Sequence, residues 1–409
     1  MNKEEILKYL PEGYEKACWE TGAMSRKTGL QNEKDLLTLC LFYGYDHSLK
    51  ETECYAKTAG IYEISDVGFM KRFSRCSNWF GWMTERMKPS QLLAYEKPEQ
   101  LEKYRVLAVD ASTVVSGGKM GLRWHLHYAV NLFTMNTAMF QLTGEETGET
   151  LKNYEFQEND LVLGDRIYAS KSGIEYCMNC HADFVLRIRN KAFQLYTEKG
   201  NKISFTELLK GMDSEYGDFK VYFKGEDKQM HSIRICAVKK SEEAFLHTQK
   251  RTARKESKKQ VRYSDDTKFS SRYFFVVTSL KEEFSSEQIL NLYRLRWQVE
   301  LVFKRYKSIL HLGSMPVKTK VSCDAWLHCK MLLALLIEKM LSEGDFSPSA
   351  AEKQKLVERN ETPVYFDFNC FFHIESVSFQ QAFSVFSSVC SVEKRLKRTP
   401  LQLLNFDLG

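Results

Sequence analysis

The sequence has no hydrophobic run long enough to cross a bilayer, which argues against a membrane-spanning helix. Its longest apolar run, Met331 to Ile337, falls far short of the roughly 20 residues that such a helix needs. The first residues, Met1-Asn-Lys-Glu-Glu, also lack the apolar core of a secretory signal. We therefore expect a cytoplasmic protein that has no membrane partner.

The cysteines do not have the pattern of a disulfide framework. Eleven is an odd number, and their scatter through helical patterns favours reduced thiols packed as small apolar groups. Cys177-Met-Asn-Cys180-His181 matches a pattern for covalent haem attachment, but that chemistry needs export, for which the sequence carries no signal. A zinc pair at the two cysteines stays an alternative, although no second pair follows at the usual distance.

The composition is that of a globular protein, with 43% hydrophobic and 27% charged residues and room for two or three domains. The net charge of +6 permits nucleic-acid binding without requiring it. Positive charge is concentrated in one predicted helix, which contains seven basic residues and only one acidic residue, Glu256. These bases are Lys250, Arg251, Arg254, Lys255, Lys258, Lys259 and Arg262.

Like charges at this spacing destabilise an isolated helix, and a polyanion would relieve their repulsion. We therefore predict that this stripe contacts a phosphate backbone in a salt-dependent manner. The alternative is a solvated run of charges without a fixed partner.

Four polar residues of different chemistry recur along a second predicted helix, namely Tyr293, Arg296, Glu300 and Lys307. At about 100° per residue, their side chains fall within roughly 60° of the helix circumference. A carboxylate between two cations and a phenol suits a metal-bound scissile phosphate with further phosphates on either side. The alternative is an ordinary amphipathic helix whose ion pairs merely solvate its outer face.

The spacing Tyr-x2-Arg-x3-Glu-x6-Lys resembles the signature of the bacterial insertion-sequence transposases of family four, which use an Asp-Asp-Glu triad. Trp297 and the pair Phe303-Lys304 also match that family. The resemblance is clear from Val106 to Tyr168 and strongest from Phe274 to Leu341. It implies an α/β, ribonuclease-H-like mixed sheet flanked by helices, and it assigns Tyr293, Arg296 and Lys307 to phosphates and a displaced base near the transposon end.

If Glu300 is a metal ligand, two more carboxylates must come from elsewhere in the chain. The apolar run Tyr104 to Val109 leads into Asp110, and the run Leu161 to Leu163 leads through Gly164 to Asp165. Both patterns predict buried strands with an acid at the end. We therefore expect Asp110, Asp165 and Glu300 to be the catalytic acids and the metal ligands. The family usually has a small residue where this chain has Ile167, so the loop after Asp165 departs from the pattern.

Hard divalent cations prefer oxygen ligands, and three acids can hold two ions about 4 Å apart. We expect two Mg²⁺ ions, with Mn²⁺ as an alternative. The resemblance implies that water attacks in the nicking step and that a DNA 3′-hydroxyl attacks in strand joining. The predicted function is a cut-and-paste DNA transposase. Two alternatives stay open: a non-catalytic protein that binds transposon ends, and a ribonuclease-H-fold nuclease that cuts without joining.

Three domains are predicted. Residues 1–98 form a helical DNA-binding unit, in which helices at Asp35 to Tyr43, after Ser48 and after Ser65 resemble a helix-turn-helix around Gly60, although a three-helix bundle without DNA shows the same pattern. Residues 99–320 form the catalytic core, with a β-rich insertion at about 183–272. Residues 321–409 form a helical region that is also rich in aromatic residues.

The resemblance also predicts partners. Double-stranded DNA, both transposon ends and target, would be the substrate, and joining two ends implies a homodimer in the synaptic complex. The expected location is then the cytoplasm, on the nucleoid.

Overall fold

The computed structural model describes residues 6–27, 30–61, 64–87, 97–117 and 121–342. In these residues a group of short helices precedes one large mixed sheet, which carries helices on both faces, and a long helix follows. This is the predicted α/β architecture of a ribonuclease-H-like sheet flanked by helices, so the predicted fold class is confirmed. None of the helices in these ranges combines the length and the apolar character that a membrane crossing requires.

Five helices lie at the amino-terminal end, and polar side chains cap the starts of the second, third and fourth. They are α1 (Tyr14–Glu20), α2 (Glu33–Gly44), α3 (Leu49–Thr58), α4 (Asp66–Phe73) and α5 (Ser77–Arg86). Ser48 and Glu51 form the predicted capping box of α3, and the Ser65 hydroxyl accepts from the Gly68 N–H at the start of α4. The chain turns at Cys76 after α4, and the buried Trp79 therefore belongs to α5.

The sheet contains β1 (Arg105–Ser116), β2 (Arg123–Asn131), β3 (Thr137–Gly144), β4 (Asp160–Gly164), β5 (Asp183–Arg187), β6 (Leu195–Tyr196), β7 (Lys202–Ile203), β8 (Tyr216–Lys224), β9 (Met230–Lys239), β10 (Tyr273–Thr278) and β11 (Ser314–Met315). Their order is β3-β2-β1-β4-β5-β10-β9-β8-β6-β7, with β11 paired to β1. The predicted hairpin of β2 and β3 is present, with Met135 in the left-handed conformation at its turn. Strands β4 and β5 run parallel to β1.

Strand β1 is longer than predicted and does not end at Asp110. It continues to Ser116 because β2 pairs with it as far as Val115 and β11 joins it at Val115 and Ser116. Its pairing with β4 stops at Ala108, which is two residues before the acid. Asp110 therefore lies inside a strand, at the place where the sheet opens between β1 and β4.

The additional strands extend the core sheet, as the sequence predicted. The insertion was expected to begin at about 183, but β5 at that position pairs with β4 and is the fifth strand of the core. Strands β6 to β9 follow it, and β10 joins β9 to β5. The helices after β4 are α6 (Lys171–Asn179), α7 (Phe205–Lys210), α8 (Glu242–Lys259), α9 (Asp265–Ser270), α10 (Ser286–Arg294), α11 (Trp297–Ile309) and α12 (Lys320–Ser342).

Two hydrophobic cores lie on opposite faces of this sheet. One joins the amino-terminal helices, α10, α11 and α12 to one face, and the other packs α6 and the insertion onto the opposite face. Helix α12 packs against α5 and α2. Its Lys330 is fully buried and donates to the Asp46 carboxylate at 2.6 Å, so an ion pair joins the amino-terminal helices to the core. The predicted aromatic segment Phe371 to Val389 lies outside the described residues.

The linker predicted at Pro89 to Pro98 lies mostly outside the described residues. The cysteines that the structure describes are free thiols, as the odd count indicated. In the Cys177 to His181 segment, Cys177 is buried in α6, whereas His181 lies exposed beyond the end of that helix. The arrangement gives no support to a haem or zinc site there.

Candidate active site

Two of the three predicted acids lie where neighbouring strands separate, Asp110 within β1 and Asp165 directly after the end of β4. The parallel register pairs Ala108 with Leu163, and continuing it by two residues brings Asp110 level with Asp165. Asp110 Oδ1 accepts from the Ala111 N–H at 2.9 Å, and Asp165 Oδ1 accepts from the Ile167 N–H at 3.0 Å. One oxygen of each carboxylate is thereby oriented by the backbone.

The third acid approaches from helix α11. Arg296 donates from Nη2 to Glu300 Oε1, and its Nη1 lies 3.6 Å from Asp110 Oδ2. A single guanidinium thus bridges the strand acid and the helix acid. The Nε and Nη1 atoms of Arg296 are buried and have no hydrogen-bond partner in the described residues. Unused buried donors of this kind are costly, and they are expected where a bound anion completes the bonding.

Asp110 has the environment of a functional carboxyl. Burial raises the pKa of Asp110 to about 6, and the neighbouring charges of Asp165 and Glu300 raise it as well. The Ala111 N–H and Arg296 act in the opposite direction and lower this pKa. Charges influence each other strongly only at short range, so these effects on the pKa of Asp110 indicate that Asp165 and Glu300 both lie near it.

The signature residues do not lie on one continuous helix, which corrects the prediction. Helix α10 ends at Arg294 and α11 begins at Trp297, so Tyr293 belongs to the first helix and Glu300 to the second. At the junction the Leu295, Arg296 and Gln298 N–H groups bond three residues back rather than four, which tightens the turn. Arg296 nevertheless lies 5.9 Å from the centre of the Tyr293 ring, so the two remain neighbours.

A groove runs beside the acids between β1 and α11. Its volume is about 430 Å³, and its walls are Ala111, Ser112, Glu300, Phe303, Lys304, Lys307 and Ser308. Lys307, the last residue of the signature, is exposed in this groove on the far side of Glu300 from Arg296. The groove therefore presents two lysines next to a triad carboxylate, which suits the phosphate backbone of a nucleic acid.

The loop after Asp165 contains Ile167, where the family pattern has a small residue. Ile167 is 45% exposed and points away from the core, while the next residue, Tyr168, is fully buried. Gly164 is required in front of the aspartate because a Cβ there would lie 2.8 Å from a Leu186 side-chain carbon. The departure at Ile167 therefore leaves the strand and the orientation of Asp165 intact.

The predicted basic stripe lies on helix α8 and is fully solvated. Lys250, Arg251, Arg254, Lys255, Lys258 and Lys259 are all exposed, and the described residues provide no ion pair for any of them. Only Phe245 anchors α8 to the core. Arg262 follows the end of the helix, where Gln260 adopts the left-handed conformation. The stripe is thus a free cationic surface on the insertion.

A second group of potential ligands has no signal in the sequence. Glu175 on α6 meets Asp227 and His231 of the β8–β9 hairpin, and their ligand atoms lie within 4.8 Å of one another. Among the described residues this is the only group of three that is so tightly assembled, and it does not include any triad acid. Its members come from separate elements without a local sequence pattern, so periodicity and spacing could not reveal it.

The triad acids fit a hard divalent cation by their chemistry. All three offer carboxylate oxygens, which are the ligands that Mg²⁺ and Mn²⁺ accept. Asp110 and Asp165 each keep one oxygen that the backbone does not hold. Their mutual repulsion raises the pKa of Asp110, and bound positive charge would remove that cost.

Comparison with known proteins agrees with this geometry. A family model described as a transposase DDE domain matches residues 101–337. The chain is 27% identical over 368 residues to the transposase for insertion sequence element IS421 of Escherichia coli, which covers 87% of this chain and 98% of that relative. It has the same identity and coverage over 367 residues with the InsL protein of insertion sequence element IS186A from Escherichia coli (strain K12).

A shorter match, 32% identical over 89 residues, links it to the transposase for insertion sequence element IS231E of Bacillus thuringiensis subsp. finitimus. That match covers 22% of this chain and 18% of the relative. Because the family model spans more than half of the sequence and contains all three acids, the chain belongs to the DDE-domain transposases of bacterial insertion sequences.

Proposed function

We propose that this transposase binds the terminal inverted repeats of its insertion sequence, cleaves DNA there and joins the freed end to target DNA. The observation that carries the proposal is the convergence of three carboxylates on one opening of the sheet. Asp110 lies in β1, Asp165 directly follows the last residue of β4, and Arg296 bridges Asp110 to Glu300. Such a site has the charges needed to hold metal ions and a phosphate together.

Asp110, Asp165 and Glu300 would hold Mg²⁺, or Mn²⁺ in its place, in this opening. Two such ions would activate the attacking oxygen and stabilise the leaving oxygen of an in-line displacement at phosphorus. Asp110 is kept charged for this task by Arg296, which opposes the effect of burial on its pKa. Glu300 is oriented by the same guanidinium.

The remaining signature residues would hold the DNA. Lys307 lines the groove and would contact a phosphate beside the scissile one. Arg296 has buried donors to offer, and Tyr293 is held against it, so both would contact the strand near the cleaved bond. The exposed cations of α8 would bind the phosphate backbone farther from the site through counterion release.

The proposed partners follow from this chemistry. The substrate is double-stranded DNA, both the element's ends and its target. Joining two ends calls for two active sites, so we expect a homodimer in the synaptic complex, and a protein located on the nucleoid.

The test uses the purified full chain, a supercoiled target plasmid and a labelled duplex that carries the element's own terminal repeat. With Mg²⁺ we expect both cleavage at the repeat boundary and a labelled product joined to the plasmid, and neither product with EDTA. Cleavage without joining would instead support the nuclease alternative. Specific binding without any product in Mg²⁺ or Mn²⁺ would support the non-catalytic alternative.

A further inference from the structure

The second group of potential ligands has the spacing of a coordination sphere. Glu175 lies on α6, while Asp227 and His231 lie at the turn between β8 and β9 and at the start of β9. The imidazole Nε2 lies 3.0 Å from Asp227 Oδ2 and 3.8 Å from Glu175 Oε1. Two ligands that each lie about 2.1 Å from one ion, at angles of about 90° to 110°, are roughly 3.0 to 3.4 Å apart. One small cation therefore fits among these three side chains with only a small shift of Glu175.

The fold orients all three side chains without an ion. Glu175 Oε1 accepts a backbone N–H of the hairpin turn at 2.6 Å, and Asp227 Oδ1 accepts another at 2.8 Å. In the described ranges no backbone group bonds to the second oxygen of either carboxylate, which leaves that oxygen for a ligand. The His231 ring packs beside the Phe223 ring at 5.4 Å between centres. Ligands held in this way lose little conformational freedom when an ion binds.

The two carboxylates lack sufficient positive charge. Glu175 is only 9% exposed and has Asp227 beside it, and in the part of the chain that the structure describes neither acid pairs with a lysine or an arginine. Only the His231 imidazole faces both acids, and it contributes one positive charge at most. Buried carboxylates are costly unless they are paired or coordinate a metal. A divalent cation would balance both charges and would take the imidazole as a neutral ligand.

The donor atoms of this group differ from those of the triad. One imidazole nitrogen with two carboxylate oxygens suits Zn²⁺, which accepts both kinds of ligand, whereas Mg²⁺ prefers oxygen alone. Three protein ligands leave the fourth tetrahedral position to water, and the exposed Asp227 shows that solvent reaches the group. The two sets of ligands should therefore select different ions.

We propose that Glu175, Asp227 and His231 form a zinc site that fastens the β8–β9 hairpin of the insertion to α6. Helix α6 is the first helix after Asp165, so the ion would stabilise the connection between the insertion and the segment that carries the second strand acid. The zinc takes no part in bond breaking. The site does not depend on the proposed function, because none of its ligands belongs to the triad.

The first experiment measures zinc binding by the full chain after its metals have been removed with EDTA and the EDTA has been dialysed away. Zn²⁺ is titrated in an excess of Mg²⁺, and bound zinc is determined after equilibrium dialysis. We expect the wild type to bind one equivalent that Mg²⁺ does not displace. His231→Asn should weaken this binding by roughly a hundredfold, because it removes the nitrogen ligand. Asp165→Asn, which removes a triad acid, should bind this equivalent as the wild type does.

Co²⁺ in place of Zn²⁺ reports the type of ligand. A Co²⁺ ion with few ligands, one of them an imidazole, absorbs visible light more strongly than the ion surrounded by water. We expect this absorption in the wild type and in Asp165→Asn, and its loss in His231→Asn. The matched control is His247→Asn, which removes an exposed histidine of α8 and should bind both ions as the wild type does.

The structural role is measured at the hairpin itself. Lys228 is exposed at the β8–β9 turn, so trypsin cleaves there when the hairpin opens. Saturating zinc should slow this cleavage by about tenfold in the wild type. It should have no effect in Glu175→Gln, which keeps an oxygen for the backbone but loses the charge. Circular dichroism verifies that each variant is folded.

Equal zinc affinity in the wild type and His231→Asn would overturn the inference. So would zinc binding that disappears in Asp165→Asn, because the ion would then lie at the triad. A wild type that binds no zinc beyond the control level would show that a protonated His231 alone holds the two acids, and it would overturn the inference as well. Cleavage of the element's end in Mg²⁺ without zinc tests the proposed function separately from all of these results.

Discussion

Two groups of potential metal ligands lie near the sheet. The more tightly assembled group lacks the buried unpaired donors and the adjoining groove that surround the other. Glu175, Asp227 and His231 meet within 4.8 Å, whereas the triad acids form no group of that tightness in the described ranges. In the tight group, Glu175 accepts from the Glu226 N–H at 2.6 Å, and Asp227 accepts from the Gln229 N–H at 2.8 Å. One oxygen of each carboxylate is thus held by the backbone of a hairpin turn.

The difference shows that close assembly of ligands does not by itself identify a catalytic centre. The tight group fastens the β8–β9 turn to α6, since a Cβ at Gly225 would lie only 1.8 Å from Glu175 Oε1. The triad has the opposite character, because its strand acids repel each other, Arg296 has unused buried donors and an open groove adjoins them. Unsatisfied charge beside open space is the property that a substrate and metal ions can use.

The largest expected effect tests this comparison directly. Asp110→Asn, Asp165→Asn and Glu300→Gln should each lower Mg²⁺-dependent cleavage of the element's end by about a thousandfold or more, because each removes a charged metal ligand. Binding of the end should stay largely intact. Glu175→Gln and Asp227→Asn, the matched controls, should cleave within about threefold of wild type.

The readout is the initial rate of strand cleavage on denaturing gels, with circular dichroism to verify folding. A folded Glu175→Gln protein that lost cleavage as completely as the triad variants would reverse the assignment of the two groups. Normal cleavage by one triad variant would remove that residue from the catalytic set.

The sequence alone proposes the residues whose evidence is local. Asp110 and Asp165 each follow an apolar run, and the parallel register of a sheet then places such acids side by side without further information. Glu300 was accessible because the four signature residues are spaced along 15 consecutive positions, from Tyr293 to Lys307. Capping residues such as Ser48 likewise act within three residues of their partners.

What the sequence did not provide depends on contacts between distant segments. The break between α10 and α11 leaves no trace in side-chain periodicity, because a tightened turn shifts the phase only slightly. Glu175 meets Asp227 and His231 only because the β8–β9 hairpin reaches α6 in the fold. The continuation of β1 past Asp110 depends on β2 and β11, which pair with it from other parts of the chain.

The second expected effect concerns the cation that distinguishes the triad from the tight group. Arg296→Gln leaves Asp110 and Glu300 without their shared positive charge, so we expect cleavage to fall by about a hundredfold. Arg296→Lys should recover part of this loss, since it restores the charge without the fork that reaches both acids. Removing the imidazole of the tight group with His231→Asn should change the cleavage rate by less than threefold.

Rates are compared at saturating Mg²⁺ with a duplex carrying the element's end. Equal loss of activity in the Arg296→Gln and Arg296→Lys proteins would show that geometry matters more than charge. Wild-type rates in both would contradict the proposed role of the arginine.

The basic stripe of α8 provides a weaker and more gradual effect. Lys258→Ala combined with Lys259→Ala should lower the affinity for duplex DNA by about tenfold near physiological salt and lower the salt slope by about two. The melting temperature should not change, because both side chains are exposed and unpaired in the described ranges. Lys199→Ala combined with Lys202→Ala removes two other exposed lysines of the insertion and is the matched control.

Affinity is measured by fluorescence anisotropy over a series of salt concentrations. An identical decrease in the slope for the two double variants would mean that net charge alone, and not the stripe, determines binding. No decrease in the slope for the α8 variant would show that its cations stay solvated in the complex.

The smallest expected effect is a pH-dependent change in stability caused by Glu338 of α12. Unlike the members of the two groups, this carboxyl lies inside the core. Its Oε1 accepts from the Thr137 hydroxyl at 2.6 Å and from the Tyr306 hydroxyl at 3.4 Å, and its Oε2 accepts from the Thr137 N–H at 3.0 Å. Tyr306 lies on the helix that carries Glu300, and its hydroxyl also donates to that of Tyr128 at 3.1 Å. Tyr128 is the β2 partner of Asp110, so this network joins the supports of two triad acids.

Burial raises the pKa of Glu338 above its ordinary value, so there is a pH interval above the ordinary pKa in which the folded protein binds this proton more tightly than the unfolded chain does. For an acid with a raised folded pKa, stability is greatest below the ordinary pKa and falls as the pH rises towards the folded value. Glu338→Gln removes this titration, so its stability relative to wild type should improve between pH 4.5 and pH 8. A pKa difference of one unit corresponds to about 1.4 kcal/mol, and melting temperatures of both proteins across that range measure it. If the melting temperatures of the two proteins differed by the same amount at every pH, the pKa of Glu338 would be the same in the folded and unfolded states. That result would contradict the prediction.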